Sequence, residues 1–392
     1  MIAASQPAQR PPQAKLLVVD AQGQIVHARR SAFVDFLRAG DLVIANDAAT
    51  LPASLAGEHV PTGAPIEVRL AARCSLDVQA VRYFVAIVFG AGDFRTPTEH
   101  RSAPPPLASG DRLRLGPLQA TIVRRLDHPR LVWLRFDESR PVIWEGLARH
   151  GRPIQYAHLA EPLALWDVWT PIAGLPVAFE APSAGFILDW GLLAAMRHRA
   201  IAFATLTHAA GISSTGDAAL DARLPFDEPY VIPRATAVAV RKAKARGGRV
   251  VAIGTTVVRA LEDAASVRGV VRAGHGLAKE RIGATTHLAV VDAIVSGVHE
   301  PGTSHYELLR AFADDVTLGR AGAELEARGY RTHEFGDSVL IERQVRLSEA
   351  DEVPRPKSSV SACRYCAAPA PMLSLCPPPS TSRRRFGPVA AA

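Results

Sequence analysis

A change of residue periodicity part-way along the chain constrains the fold more than any single motif. Between about Gly57 and Arg140, short β-rich runs at residues 66–70, 81–89, 112–115, 120–124 and 131–136 follow one another with Gly, Pro and Asp between them. That spacing suits a small antiparallel barrel or sandwich. Before it, residues 15–19 and 42–45 read as strands around a short amphipathic helix at 31–38. After it, a helix at 142–150 leads into strands at 200–206, 249–253, 287–291 and 339–341, alternating with helices at 189–198, 235–246, 303–313 and 321–328. Alternation of this kind builds α/β layers. The expected fold class is therefore α/β, with a large domain over residues 15–56 and 141–345 and a small antiparallel β domain inserted at 57–140.

Residues 1–14 and 354–392 are rich in Pro, Ala and Ser and lack periodicity, a composition that cannot offset its ordering entropy. Both segments are expected to be disordered. The formal charge of +7 invites a nucleic-acid reading. However, Arg355, Lys357, Arg364, Arg383, Arg384 and Arg385 all follow Pro354 with no acid among them, and without those six the remainder is near +1. Bulk charge therefore does not demonstrate an RNA partner, and an RNA-binding face must be a local patch. The most apolar windows, 81–90 and 201–206, are too short to cross a bilayer. The first residues show no charged start followed by an apolar block, so a cytoplasmic protein without membrane association is expected. Only Cys74 lies in the body of the chain, which disfavours a cysteine-held cluster and radical chemistry on iron and sulfur. Cys363 and Cys366 have the spacing of half a zinc site, but no second ligand pair follows apart from Cys376, so no metal is expected there.

Val250-Val251-Ala252-Ile253-Gly254-Thr255-Thr256 runs a β-branched strand through a glycine turn into a helix. Unpaired N–H groups and the positive end of the dipole suit the helix start to an anionic ligand, and Arg259 lies one turn further on. The two threonines would equally serve as caps. Asn46 and Asp47 follow a strand end, where open α/β sheets place ligands, although an Asx turn would also use them. Ser183 and Gly185, in Ala-Pro-Ser-Ala-Gly, would let a substrate approach the backbone or form a tight loop. His208 at a strand end and Glu228 in Asp-Glu-Pro-Tyr could form an acid–base pair, against a purely structural role for the imidazole. His299 is held by Pro301 and Gly302 beside a helix that Thr303 or Ser304 can cap, a constrained imidazole placed for proton transfer. Asp292 opens the same stretch. Phe335-Gly336-Asp337-Ser338 reads as a turn.

Taken in order, Asn46-Asp47 with Pro52-Ala53, Ala181-Pro182-Ser183-Ala184-Gly185, Gly254-Thr255-Thr256 with Arg259, Asp292, His299 with Pro301, and Phe335-Gly336-Asp337 resemble the S-adenosylmethionine:tRNA ribosyltransferase-isomerases of queuosine biosynthesis. The resemblance spans about residues 15–345 and implies an α/β domain with an inserted β-barrel. It also implies transfer and isomerisation of the ribosyl part of S-adenosylmethionine onto the aminomethyl-deazaguanine base of tRNA, giving epoxyqueuosine and releasing adenine and methionine. S-adenosylmethionine would be a co-substrate, with no cofactor and no metal, and the protein would act as a monomer on tRNA. By the same resemblance, His299, His208 and Glu228 are the catalytic candidates. Asn46, Asp47, Ser183, Gly185, Gly254, Thr255, Thr256, Arg259, Asp292 and Ser304 are the substrate-binding ones.

The chain diverges from the family at several of these places. Ala48-Ala49 stands where the family has Thr-Arg, and Pro52-Ala53-Ser54 replaces Pro-Ala-Arg. Gly185-Phe186-Ile187-Leu188 replaces Gly-Leu-His-Phe, and Phe226-Asp227-Glu228 replaces His-Ser-Glu. Gly297-Val298-His299-Glu300-Pro301 replaces Asn-Phe-His-Leu-Pro. Lost arginines and an added acid make a site less suited to a polyanion. Two other readings therefore stand beside the first: a relative that binds S-adenosylmethionine or a nucleoside and uses a small acceptor, and a catalytically silent relative that binds RNA or a protein.

Overall fold

Among the residues that the structure, a computed structural model, describes (1–7, 9 and 13–344), the frame is a nine-stranded sheet. Its order is Gly274–Ala278, Glu228–Ile232, Ala202–His208, Leu42–Asn46, Val250–Ile253, Ala293–Gly297, Ser338–Glu342, Lys15–Val19, Ile25–Arg29. Four neighbouring strands at the centre, from Ala202–His208 to Ala293–Gly297, run parallel, and antiparallel strands flank them. The central strands are short β-branched runs buried on both faces, as parallel strands covered by helices must be.

Side chains that alternate along each strand split the core into two layers. Leu17, Leu42, Ile44, Val250, Ala252 and Ile294 face a layer that also holds Val240, Val257, Val258, Leu261, Leu318 and Leu325, from helices Arg234–Ala245, Thr255–Ala265 and Asp315–Ala327. Leu16, Val18, Val43, Ala45, Val251 and Val295 face the other way, onto Phe33, Val34 and Met196. Each buried Leu, Val or Ile stabilises the sandwich by roughly 1.5–3 kcal/mol.

Inserted between Leu42–Asn46 and helix Arg140–His150 is a closed antiparallel barrel of six strands. Around the barrel these are Leu118–Arg125, Leu131–Phe136, Tyr83–Phe89, Ala64–Ala72, Ser54–His59 and Arg112–Leu115. Closure leaves no free strand edge. The expected β insertion is present, and its first strand starts at Ser54, ahead of the boundary read at Gly57. That strand's weak alternation hid it; its register comes from pairing with Ala64–Ala72.

Several expectations are corrected. Residues 287–291 are not a strand, because Ala289, Val290 and Val291 donate their N–H groups to the Glu262 carboxylate; the strand is Ala293–Gly297. Residues 31–38 form a 3-10 helix, Arg30–Phe36. The N-terminus is not wholly disordered. Ile2–Ala3 pairs in parallel with Arg331–Thr332, and Ala4 packs with Leu159, Phe186 and Phe335. The expectation for residues 354–392 lies outside the described residues. No helix among the described residues is long and apolar enough to cross a membrane.

At Gly57 an added Cβ would stand 2.2 Å from the Arg114 carbonyl oxygen and 2.8 Å from Leu115 Cδ2, so the barrel strands can close there only on a glycine. Gly57→Ala is expected to destabilise the protein by about 1–3 kcal/mol, the usual cost of overpacking. A urea titration reads this as a lowered midpoint; an unchanged midpoint would show that the close approach is not required.

Candidate active site

The parallel strands bring their carboxyl ends to one edge, where a doubly wound sheet opens a crevice. Strand Val250–Ile253 ends at Gly254, whose φ of 97° is a conformation that favours glycine. The turn is fixed by the Gly254 N–H, which donates to the Val295 carbonyl at 2.8 Å. Helix Thr255–Ala265 starts there with no side-chain cap, leaving its first N–H groups aimed at the crevice. Gly254, Thr255, Thr256, Ser183, Glu228, Arg259, His299 and Ser304 line one cavity of about 100 Å³. A second cavity, of about 570 Å³, shares Glu180, Ser183, Ser213, His299 and His305 with the first. Together they make one cleft.

Arg259 is buried on the second turn of that helix and forms an ion pair with Glu228. Its second Nη donates to the Ala278 carbonyl at 2.9 Å. Burial pulls the guanidinium down to about 10, with Asp227 and Asp263 opposing the shift. Glu228 also accepts the Gly211 N–H at 2.6 Å. The expected anion-holding charge of Arg259 is thus already matched inside the protein. What remains for a ligand is the array of backbone N–H groups and threonine hydroxyls at the helix start.

His299 Nε2 lies 3.1 Å from the Ser296 hydroxyl, and its ring stacks on His305 with centroids 4.6 Å apart. Burial holds its pKa well below the usual imidazole range, helped by His305 and His333, so the ring is neutral. Thr303 caps the following helix, accepting the Tyr306 N–H, while Ser304 begins it and faces the cleft.

Other expected residues lie elsewhere. His208 is fully buried behind Glu228, with Nε2 3.5 Å from the carboxylate and no hydrogen bond at either ring nitrogen. It stacks on Tyr230, and burial and then Arg259 keep it neutral. Asn46 closes a backbone clasp, donating to the His208 carbonyl and accepting the His208 and Ala48 N–H groups. Asp47 accepts from the Thr207 hydroxyl at 2.6 Å. Gly185 gives room to Thr170, whose Cγ2 would lie 2.8 Å from an added Cβ. Asp292 is at the opposite edge of the sheet. It precedes its strand, binds Lys244 and Arg343, and accepts the Val250 N–H at the start of the neighbouring strand. These five support the cleft from behind or stand away from it.

Glu180, Tyr156, Ser213, His305, His158, His333 and Glu334 line the cleft without having been anticipated. The Glu180 carboxylate accepts from the Tyr156 hydroxyl, and burial pushes its pKa up to about 7. Only the run Phe-Glu-Ala-Pro-Ser, a carboxylate just before a small-residue loop, offered a signal for it.

The family described as queuosine biosynthesis protein matches residues 1–341. The chain belongs to this family of enzymes. An S-adenosylmethionine:tRNA ribosyltransferase-isomerase from Gloeobacter violaceus is 31% identical, the match covering 86% of this chain and 92% of that protein. Another, from Sorangium cellulosum, is 32% identical over 85% of this chain and 94% of its own length. A solved S-adenosylmethionine tRNA ribosyltransferase from Thermotoga maritima aligns over 87% of this chain and 96% of that chain, at 23% identity and a TM-score of 0.46.

Asp292→Ala is expected to lower stability by about 1–3 kcal/mol, the range for charge-assisted hydrogen bonds, and to leave binding of S-adenosylmethionine unchanged. Urea denaturation and calorimetric titration check the two halves. Lost affinity at unchanged stability would return Asp292 to the site.

Proposed function

We propose that the protein transfers and isomerises the ribosyl part of S-adenosylmethionine onto the aminomethyl-deazaguanine base of tRNA, in the cytoplasm, forming epoxyqueuosine and releasing adenine and methionine. The observation that carries this reading is the meeting, in one cleft, of a helix start free to take a carboxylate and a buried neutral imidazole held 3.1 Å from a hydroxyl. Family membership supplies the reaction class.

The sulfonium acidifies the hydrogens on the ribose 5′ carbon, so a neutral base placed there can remove one. His299 takes that role. The N–H groups of Thr255 and Thr256 receive the methionine carboxylate, and the Ser183 and Ser304 hydroxyls orient the sugar. The Arg259–Glu228 pair holds the helix against the sheet and presents the Glu228 carboxylate to the ribose hydroxyls. Departing adenine needs a proton, and Glu180, which lines both parts of the cleft beside Tyr156, is the carboxyl group placed to give it.

Mass spectrometry of adenine and methionine released from S-adenosylmethionine, with and without tRNA carrying the aminomethyl-deazaguanine, tests the reading. Release is expected only with that tRNA. His299→Ala is expected to reduce it by about 100-fold or more, the range for a general base, with affinity for S-adenosylmethionine nearly unchanged. Unaltered turnover in His299→Ala would remove His299 from the chemistry. Release without tRNA would point to a small acceptor, and no release by the folded protein would refute the proposed reaction.

A further inference from the structure

Above the cleft, the loop after helix Asp315–Ala327 carries His333 and Glu334 across to His158, which comes from the stretch following the barrel. The donor atoms of the three side chains all lie within 4.8 Å of one another. His158 and His333 are stacked with ring centroids 4.3 Å apart. His158 Nε2 and Glu334 Oε2 are buried and pair with each other at 3.3 Å, in a geometry short of a well-aligned hydrogen bond. Buried polar atoms are ordinarily well hydrogen-bonded, and this loosely aligned pair leaves both donor atoms able to turn to a further group.

We propose that His158, His333 and Glu334 bind a divalent transition-metal ion of the zinc type. Two imidazoles and one carboxylate form a recurrent ligand set for an open zinc site, in which three protein donors leave a position for water or substrate. With metal–ligand bonds of about 2.0–2.1 Å, donors on a tetrahedral ion are separated by roughly 3.3 Å, the distance already present between His158 and Glu334. His333 is exposed, so its ring can turn out of the stack with His158 and bring its donor to the ion, a side-chain adjustment available to an exposed residue. Its backbone is held at a φ of 69°, a left-handed conformation uncommon outside glycine, with its carbonyl accepting the Gly336 N–H at 3.0 Å. Residues kept in such conformations cluster at functional sites. All three ligands line the cavity of about 570 Å³, so the open position faces the space where an oxygen donor such as a substrate carboxylate or hydroxyl would enter. His158 and His333 are 175 positions apart, which is why no motif announces the site. The inference does not depend on the ribosyl-transfer reading, because it rests on these side chains alone.

The test uses the full chain, stripped with a chelator, dialysed against cobalt(II) as a spectroscopic stand-in for zinc, and assayed by elemental mass spectrometry and absorption. The expected result is about one ion per chain with ligand-field bands and no thiolate charge-transfer band. His158→Ala and Glu334→Gln should each weaken binding about tenfold or more, more than a merely orienting group would contribute, with folding checked by circular dichroism. A variant with Cys363→Ser, Cys366→Ser and Cys376→Ser should bind as the parent does. No ion on the folded parent, binding retained in both His158→Ala and Glu334→Gln, or binding lost only in the cysteine variant would each overturn the proposal.

Discussion

The ion pair between Arg259 and Glu228 joins the helix that begins at the cleft to the antiparallel strands at one side of the sheet, and the site depends on that bond. Taking two charges out of water costs several kcal/mol per ion, and further hydrogen bonds to the two partners offset part of that cost. The Gly211 N–H donates to Glu228, and the Ala278 carbonyl accepts from Arg259. The consequence is electrostatic as well as structural. With the guanidinium spent on Glu228, the attraction offered to an anion comes from helix N–H groups, whose orientation is fixed by the Gly254 turn and the Val295 carbonyl. A ligand is therefore met by fixed dipoles at a defined place.

The sequence made this half of the site readable, because strand, glycine and helix are consecutive in Val250-Val251-Ala252-Ile253-Gly254-Thr255-Thr256 and the chemistry is local. The barrel was readable for a similar reason, its strands being short apolar runs with turn residues between them. Where a side chain from elsewhere decides the outcome, the local pattern misleads. Residues 287–291 have the composition of a strand, but Glu262, which lies on helix Thr255–Ala265, takes their N–H groups. Asp292 and Asn46 look like ligand-binding polar residues, and both are used up in holding strand ends. His208 has the right chemistry but lies behind Glu228. Nothing in the spacing of Tyr156, His158, Glu180, His305, His333 and Glu334 shows that the fold gathers them, because only the return of four separate segments to one cleft does so.

This gathering gives the cleft two chemically distinct regions. At the helix start are N–H groups, hydroxyls and an internally neutralised pair; towards the barrel side of the chain are imidazoles and carboxyl groups with unmatched buried atoms. His299 belongs to both regions, which is what a reaction that binds one part of a substrate while moving a proton on another requires.

In the proposed reaction, the anionic part of the substrate rests at the start of helix Thr255–Ala265. Diffraction from crystals of the protein grown with S-adenosylmethionine addresses it most directly. Density for the methionine carboxylate is expected within hydrogen-bond reach of the Thr255 and Thr256 N–H groups, with the ribose directed towards His299. Density that places the molecule away from Gly254, for example in the apolar hollow beside Leu318 and Leu325, would contradict it.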